Sequence, residues 1–119
     1  MEKLTKKEEQ IMLVLWKLEK AFVKEIQLEL TEEDLHYNTV STIVRNLVDK
    51  KYVDFLVYGN THQYFPIISK NKYQNTFISN VVEDFFDNSY KNMVNFFVKE
   101  NKISEKELEE IINLIHKEK

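Results

Sequence analysis

The sequence predicts a mainly α-helical protein in which three helices precede a β-hairpin and three more helices follow it. The chain of 119 residues contains one glycine and one proline, which favours long helices and few irregular loops. Apolar residues recur at helical spacing before residue 52 and again after residue 69, whereas the segment between is rich in β-branched and aromatic residues. We therefore expect one domain at residues 1–68 and a second, helical domain at residues 69–119.

The composition excludes several classes of protein. The chain has no cysteine, which rules out a disulfide framework and a thiolate metal site. His36, His62 and His116 are scattered without ligand spacing, so we expect neither a metal site nor a cofactor. No apolar run is long enough to span a membrane, and the first ten residues lack a signal-peptide core. We expect a cytoplasmic protein without membrane insertion.

The charge pattern argues mildly against nucleic acid and offers no catalytic site. The net charge is −3, and neither predicted domain is basic, although Arg45, Lys50 and Lys51 outnumber Asp49 within residues 37–51. The carboxylates occur in runs such as residues 32–34 and 107–110, which are typical of solvated surfaces. Because the sequence has no nucleophile–base arrangement and no glycine-rich phosphate loop, we expect a protein that is not an enzyme.

The first helix begins with a capping box. Thr5 and Glu8 have the required spacing, and they predict a helix from about Lys6 to Glu19. Trp16 is expected to anchor the core. The apolar stripe of this helix consists of Ile11, Met12, Leu15, Trp16 and Leu18.

Two short elements separate the first helix from the third. Residues 21–23 are too few for a helix and favour a stub of strand. Residues 24–30 carry apolar side chains that predict a short second helix, which Val23 also fits. Residues 31–34 form a polar break before the third helix.

The third helix, expected at residues 37–51, has an unusual polar face. Asn38 or Thr39 is the expected N-cap. The polar face carries Asn, Ser, Thr and Arg, whereas solvated helix faces favour Glu and Lys. Side chains of this kind suit base edges and phosphates, and the alternative is an ordinary amphipathic helix with a solvated face. The apolar stripe consists of Val40, Ile43, Val44, Leu47 and Val48.

A β-hairpin is expected directly after the third helix. Residues 52–57 and 62–65 have strand composition, Gly59 lies in the turn between them, and Pro66 ends the second strand. The stub at residues 21–23 is a candidate third strand, because a two-stranded hairpin alone is marginally stable. Three helices followed by a hairpin is the order of a winged helix-turn-helix, in which the third helix enters the major groove. Many small α+β domains share this order by chance.

The C-terminal helices carry more apolar surface than one small domain hides. Helices are expected on both sides of breaks at residues 87–89 and 101–102, with Ser89 capping one and Ser104 with Glu107 capping the next. We expect a two-fold dimer through these helices, since monomers rarely expose such patches. The alternative is that they fold back on the first domain. The dimerisation candidates are Phe77, Val81, Phe85, Phe96, Ile111 and Leu114.

Five motifs, in order and spacing, extend over nearly the whole chain: LTKKEEQIMLVLW, VKEI, NTVSTIVRNLVDKK, YFPIIS and MVNFFVKENKISEKELEEI. They resemble the penicillinase repressor family from Leu4 to about Ile115. The resemblance implies a dimeric winged-helix transcriptional repressor that binds operators with dyad symmetry and regulates antibiotic-resistance genes. It also implies a membrane sensor protease as a partner, which cuts such repressors between an Asn and a Phe. The matching bond is Asn95–Phe96.

The chain departs from the family pattern at three places. Members have Thr-Arg where this chain has Arg45-Asn46, basic residues where its wing has LVYGNT at residues 56–61, and Gly where Lys51 stands. We expect docking as in the family, with fewer phosphate contacts and a shallower salt dependence. The copper-responsive branch carries a cysteine cluster, which this chain lacks.

The expected DNA contacts come from the third helix and the wing. Arg45 leads the candidates, because Arg bound to guanine is the commonest specific contact. The competing interpretation is a winged-helix adaptor that binds protein without specific DNA binding, which the acidic balance and the uncharged wing favour. The base-reading candidates are Asn38, Ser41, Thr42 and Arg45, and the phosphate candidates are Thr39, Lys50, Asn60 and Thr61.

Overall fold

The computed structural model describes residues 1–32 and 34–118. Glu33, which belongs to the predicted polar break, and Lys119 lie outside the described residues. The architecture is mainly helical with a small antiparallel sheet, which confirms the predicted fold class. The elements are α1 (Lys6–Leu18), β1 (Ala21–Phe22), α2 (Val23–Glu29), α3 (Tyr37–Asp49), β2 (Val53–Tyr58), β3 (Thr61–Pro66), α4 (Lys70–Phe85), α5 (Tyr90–Lys99) and α6 (Glu105–Glu118).

The chain divides into two compact units, Met1–Gln74 and Asn75–Lys119. The first holds α1 to α3, the sheet and the start of α4, and the second holds the rest of α4 with α5 and α6. The domain division between residues 68 and 69 stays a prediction from the sequence.

The capping box of α1 forms as predicted. The Glu8 amide donates to the Thr5 hydroxyl at 3.2 Å, and the Thr5 amide donates to the Glu8 carboxylate at 2.8 Å. These reciprocal bonds satisfy backbone donors that have no partner inside the helix. Trp16 is half-buried against the core, and its indole N–H donates to the Ile68 carbonyl at 2.9 Å.

The sheet has three antiparallel strands in the order β1-β3-β2, so the stub at residues 21–22 supplies the third strand that the sequence suggested. Ala21 pairs with Tyr64 on one side of β3, and Tyr58 pairs with Thr61 at the hairpin end. Two residues therefore make the turn, and Gly59 takes a φ of +58°, which glycine adopts without strain.

The core of the first unit joins α1, α2, α3 and the sheet. Val40, Val44 and Leu47 of α3 are completely buried in it, as is Ile26 of α2. Tyr52, between α3 and β2, is buried too, and its hydroxyl donates to the Glu2 carbonyl. This packing presents one face of α3 to the core and leaves the opposite face accessible.

Lys51 follows α3 in a left-handed backbone conformation, with a φ of 68°. A residue with a Cβ is strained there by about 1–2 kcal/mol, whereas glycine is not. We expect Lys51→Gly to raise the free energy of unfolding by about 0.5–1 kcal/mol, because the relieved strain exceeds the added entropy of the unfolded chain. Urea unfolding measures the change. Lys51→Ala is the control that removes the same charge and keeps the strain, and equal stability of the two variants would contradict the prediction.

The second unit has well-capped helices and little buried surface. Ser89 accepts from the Asn92 amide at 3.1 Å, and Ser104 and Glu107 cap each other's backbone as predicted. Among the described residues of this unit, Val82 alone is fully buried. Large apolar side chains remain exposed on all three helices, including Phe77, Phe85, Phe96, Ile111 and Leu114.

Candidate nucleic-acid interface

The accessible face of α3 carries three of the four base-reading candidates. Asn38, Thr42 and Arg45 are exposed, whereas Ser41 is half-buried beside them. Their spacing of four and three residues places them in one line along the helix. The structure therefore brings the predicted candidates together on the face opposite the buried stripe.

Hydrogen bonds organise this line of side chains. The Thr42 hydroxyl donates to the Asn38 carbonyl at 2.9 Å, and an Arg45 guanidinium N–H donates to the Thr42 hydroxyl at 3.3 Å. Within the part of the chain that the structure describes, Arg45 forms no ion pair with a carboxylate. Its guanidinium keeps most of its donors available for a ligand.

The start of α3 differs from the prediction. The N-cap is His36, and Asn38 and Thr39, the expected caps, lie inside the first turn. The Val40 amide donates to the His36 carbonyl at 3.1 Å. The helix begins before Asn38 because Leu35 packs against the core and the Leu35 carbonyl accepts from the Gln27 side chain at 3.1 Å. Thr39 is exposed, so its side chain is accessible to a phosphate.

Lys50 is engaged within the fold. Its ammonium lies 2.7 Å from the Glu8 carboxylate and donates to the Lys3 carbonyl at 3.2 Å. The Lys50 side chain is 24% exposed and that of Glu8 is 5% exposed. The charge of Lys50 is therefore already balanced by a buried carboxylate, and its role as a phosphate contact stays a prediction.

The wing presents apolar and uncharged side chains. Asn60 and Thr61, the phosphate candidates, are exposed at its tip. Leu56 and Val57 are more than half exposed on β2, an edge strand. His62 stacks on Phe55 with ring centroids 4.3 Å apart, so it serves packing in the hairpin. The described residues contain no group of three or more His, Cys, Asp or Glu side chains that could hold a metal ion.

Two residues near the wing tip were absent from the predicted set. Lys24 at the start of α2 and Tyr37 at the start of α3 line an open groove together with Thr61. Both are exposed, and both are able to donate hydrogen bonds. The sequence could have indicated Tyr37, because it directly precedes Asn38, a base-reading candidate. Lys24 gave only the signal of a basic residue at the start of a short helix.

Glu8 is a buried carboxylate whose charge the fold stabilises. Burial alone raises the pKa of Glu8, but hydrogen bonds from Lys50 and from the Thr5 backbone outweigh it and hold the pKa below the ordinary value of 4.5. A lowered carboxyl pKa stabilises the folded state above the unfolded-state pKa, and that stability is lost as the pH falls through the folded-state pKa.

We therefore expect the free energy of unfolding to fall on acidification below pH 4.5 more steeply for the wild type than for Glu8→Gln. The glutamine keeps a cap acceptor and does not titrate. Urea unfolding at a series of pH values measures the difference. Parallel curves for the two proteins across this range would contradict the prediction.

A family model described as the penicillinase repressor matches this chain over residues 4–117. The chain belongs to the penicillinase repressor family. This confirms the resemblance seen in the motifs, and it identifies the protein as a DNA-binding transcriptional repressor. By that description the family is one of regulators.

Solved structures and curated proteins give further comparisons. Eight chains of solved structures match this protein. One, described as a CopR repressor structure, is 28% identical in sequence, covers 57% of this chain and 100% of its own, and superposes with a TM-score of 0.48. The comparison with curated proteins finds no match. In the present chain, no helix among the described residues is long and apolar enough to cross a membrane.

Proposed function

We propose that this repressor binds, as a homodimer, an operator with dyad symmetry, and that α3 of each protomer enters a major groove. The observation that carries the proposal is the accessible face of α3, on which Asn38, Thr42 and Arg45 lie in line opposite a buried stripe. The major groove admits a helix and presents a distinct pattern of donors and acceptors for each base pair. The hairpin of β2 and β3 would then lie along the backbone as a wing.

The proposed contacts divide by chemistry. Arg45 reads a guanine through two parallel hydrogen bonds, which suit its planar fork of donors. Asn38, Ser41 and Thr42 contact neighbouring base edges. Backbone phosphates are held by exposed groups that flank this face, namely Thr39, Asn60 and Thr61.

The proposed dimer uses the helices of the second unit. Phe85 is 77% exposed and Leu114 is 59% exposed in the isolated chain, and apolar side chains of this size are usually covered. A two-fold dimer covers the same patch on both protomers. It also doubles the DNA interface and sets the half-site spacing at about one helical turn or a multiple of it.

The proposed release step is cleavage of the Asn95–Phe96 bond by a membrane sensor protease. The bond lies inside α5, and the Phe96 ring lies 5.6 Å from Phe86 and 5.9 Å from Phe97, so the helix must open locally before it is cut. The cut separates α6 and the end of α5 from the rest of the chain, and a monomer loses the gain in affinity from linked half-sites. Mass determination of the protein from cells treated with a β-lactam is expected to show fragments of residues 1–95 and 96–119, and uncut protein alone would exclude this step.

An electrophoretic mobility shift tests the proposal as a whole. The intact protein is incubated with the DNA upstream of its own gene, beside unrelated DNA of equal length, at about 0.15 M salt, where non-specific attraction is screened. A shift of the upstream DNA at a concentration that leaves the control DNA free is expected. Absence of any sequence-specific shift would overturn operator binding.

The exposed apolar wing favours a second candidate, a protein-interaction adaptor. Leu56, Val57 and Tyr58 are 54%, 64% and 51% exposed, and none of them attracts phosphate. An adaptor is expected to bind neither the upstream DNA nor the unrelated DNA, even at low salt, while its dimer remains intact. The mobility shift therefore separates the two candidates when it is repeated at low salt.

A further inference from the structure

One buried carboxylate connects the start of α1 to the end of α3. Glu8 is 4% exposed, and its Oε1 accepts from the Thr5 amide at 2.8 Å and from the Lys50 ammonium at 2.7 Å. Lys50 is the C-cap residue of α3. The same ammonium donates to the Lys3 carbonyl at 3.2 Å. The end of α3 is thereby held by two groups from the N-terminal segment.

Burial makes this ion pair a rigid link. A buried charge that loses its partner is left uncompensated, so the two groups separate only at high cost. The other ion pair among the described residues, Lys17–Glu29, has a similar length of 2.9 Å, but its side chains are 67% and 35% exposed. Exposed pairs contribute little and rearrange freely. The two pairs therefore differ in how firmly they hold the helices that carry them.

We propose that Glu8, acting through Lys50, is a positioning residue for the recognition helix α3. Arg45 lies five residues before Lys50, about 7.5 Å along the helix axis. Fixing the end of α3 against α1 sets how far the Arg45 fork reaches into the groove. The inference rests on the proposed function, because it concerns base reading by α3. It assigns a role in DNA recognition to Glu8, a side chain buried within the fold.

The test uses Glu8→Gln in the full chain. The glutamine oxygen still accepts from the Thr5 amide, while the charge that holds Lys50 is removed. Electrostatics alone predicts tighter DNA binding by this variant, because one negative charge is gone and the Lys50 ammonium is released. Loss of positioning predicts the opposite for specific DNA. We expect the ratio of specific to non-specific affinity to fall about tenfold for each half-site, the size of one misaligned base contact.

Glu29→Gln is the matched control, because it breaks an ion pair of similar length that does not touch α3. Affinities for a DNA site selected by the wild type and for unrelated DNA are measured well below the melting temperature of each protein. The control is expected to keep the wild-type ratio. A Glu8→Gln ratio equal to that of the wild type, or a higher specific affinity, would overturn the inference.

Amide hydrogen exchange supplies a readout that needs no DNA. The amides of residues 46–51, at the end of α3, are expected to exchange faster in Glu8→Gln while the other core amides of the first unit are unchanged. Unchanged exchange at the end of α3 would overturn the positioning role whatever the DNA result. Failure of the wild type to bind any DNA specifically would overturn the proposed function instead, and the exchange result would still decide whether Glu8 holds α3.

Discussion

Replacement of Arg45 by alanine is expected to weaken binding to specific operator DNA by about 1–3 kcal/mol for each half-site, the value of one bidentate base contact. Arg45 is exposed on the accessible face of α3 and forms no ion pair among the described residues. Both half-sites lose the contact in a dimer, so the total effect is about twice as large. Titrated mobility shifts on specific and unrelated DNA measure it.

Arg45→Lys is the matched variant. Lysine keeps the positive charge but lacks the planar fork that pairs with guanine. If Arg45 reads a base, lysine restores the affinity for unrelated DNA and leaves most of the specific affinity lost. If Arg45 only attracts phosphate, lysine restores both affinities equally, and the base-reading role is then wrong.

The parts of the fold that depend on local sequence were predictable. The reciprocal caps at Thr5 and at Ser104 need groups only three residues apart. The stripe of α3 likewise follows from helical periodicity, and Val40, Val44 and Leu47 are completely buried as expected. The single glycine marked the hairpin turn because a positive φ is required there.

Two features of the site were set by tertiary contacts, which the local sequence does not encode. The start of α3 is fixed by Leu35 and by the Gln27 side chain, eight residues away, so the choice between Asn38 and Thr39 as N-cap was wrong. Lys50 and Glu8 are 42 residues apart. Nothing in the sequence around Lys50 showed that Glu8 would balance its charge.

The pairing of β1 was predictable only in part. A stub at residues 21–23 was suggested because the hairpin needed support. Its register, Ala21 opposite Tyr64, depends on how α1 and α2 pack on the sheet. Composition predicts that a strand exists, and only packing selects its partner residue.

Phe85→Asp is expected to dissociate the proposed dimer. Phe85 is 77% exposed in the isolated chain, so the substitution changes little of the protomer's own packing. In the dimer it removes about 3 kcal/mol of apolar burial, and the two-fold axis applies that loss twice. The dimer dissociation constant is therefore expected to rise by about four orders of magnitude. Sedimentation velocity at micromolar concentration measures the change.

Leu28→Asp is the control, because Leu28 is 73% exposed on α2 of the first unit and should leave the dimer intact. Phe96→Asp is less clean, since Phe96 packs against Phe86 and Phe97 within its own unit. If Phe85→Asp and Leu28→Asp sediment alike as dimers, the interface lies elsewhere. Phe85→Asp keeps Arg45 and changes only the proposed dimer interface. If this variant dissociates and also binds the operator more weakly, the affinity is lost because the two half-sites are no longer bound by one linked dimer. The proposed release by cleavage requires this loss.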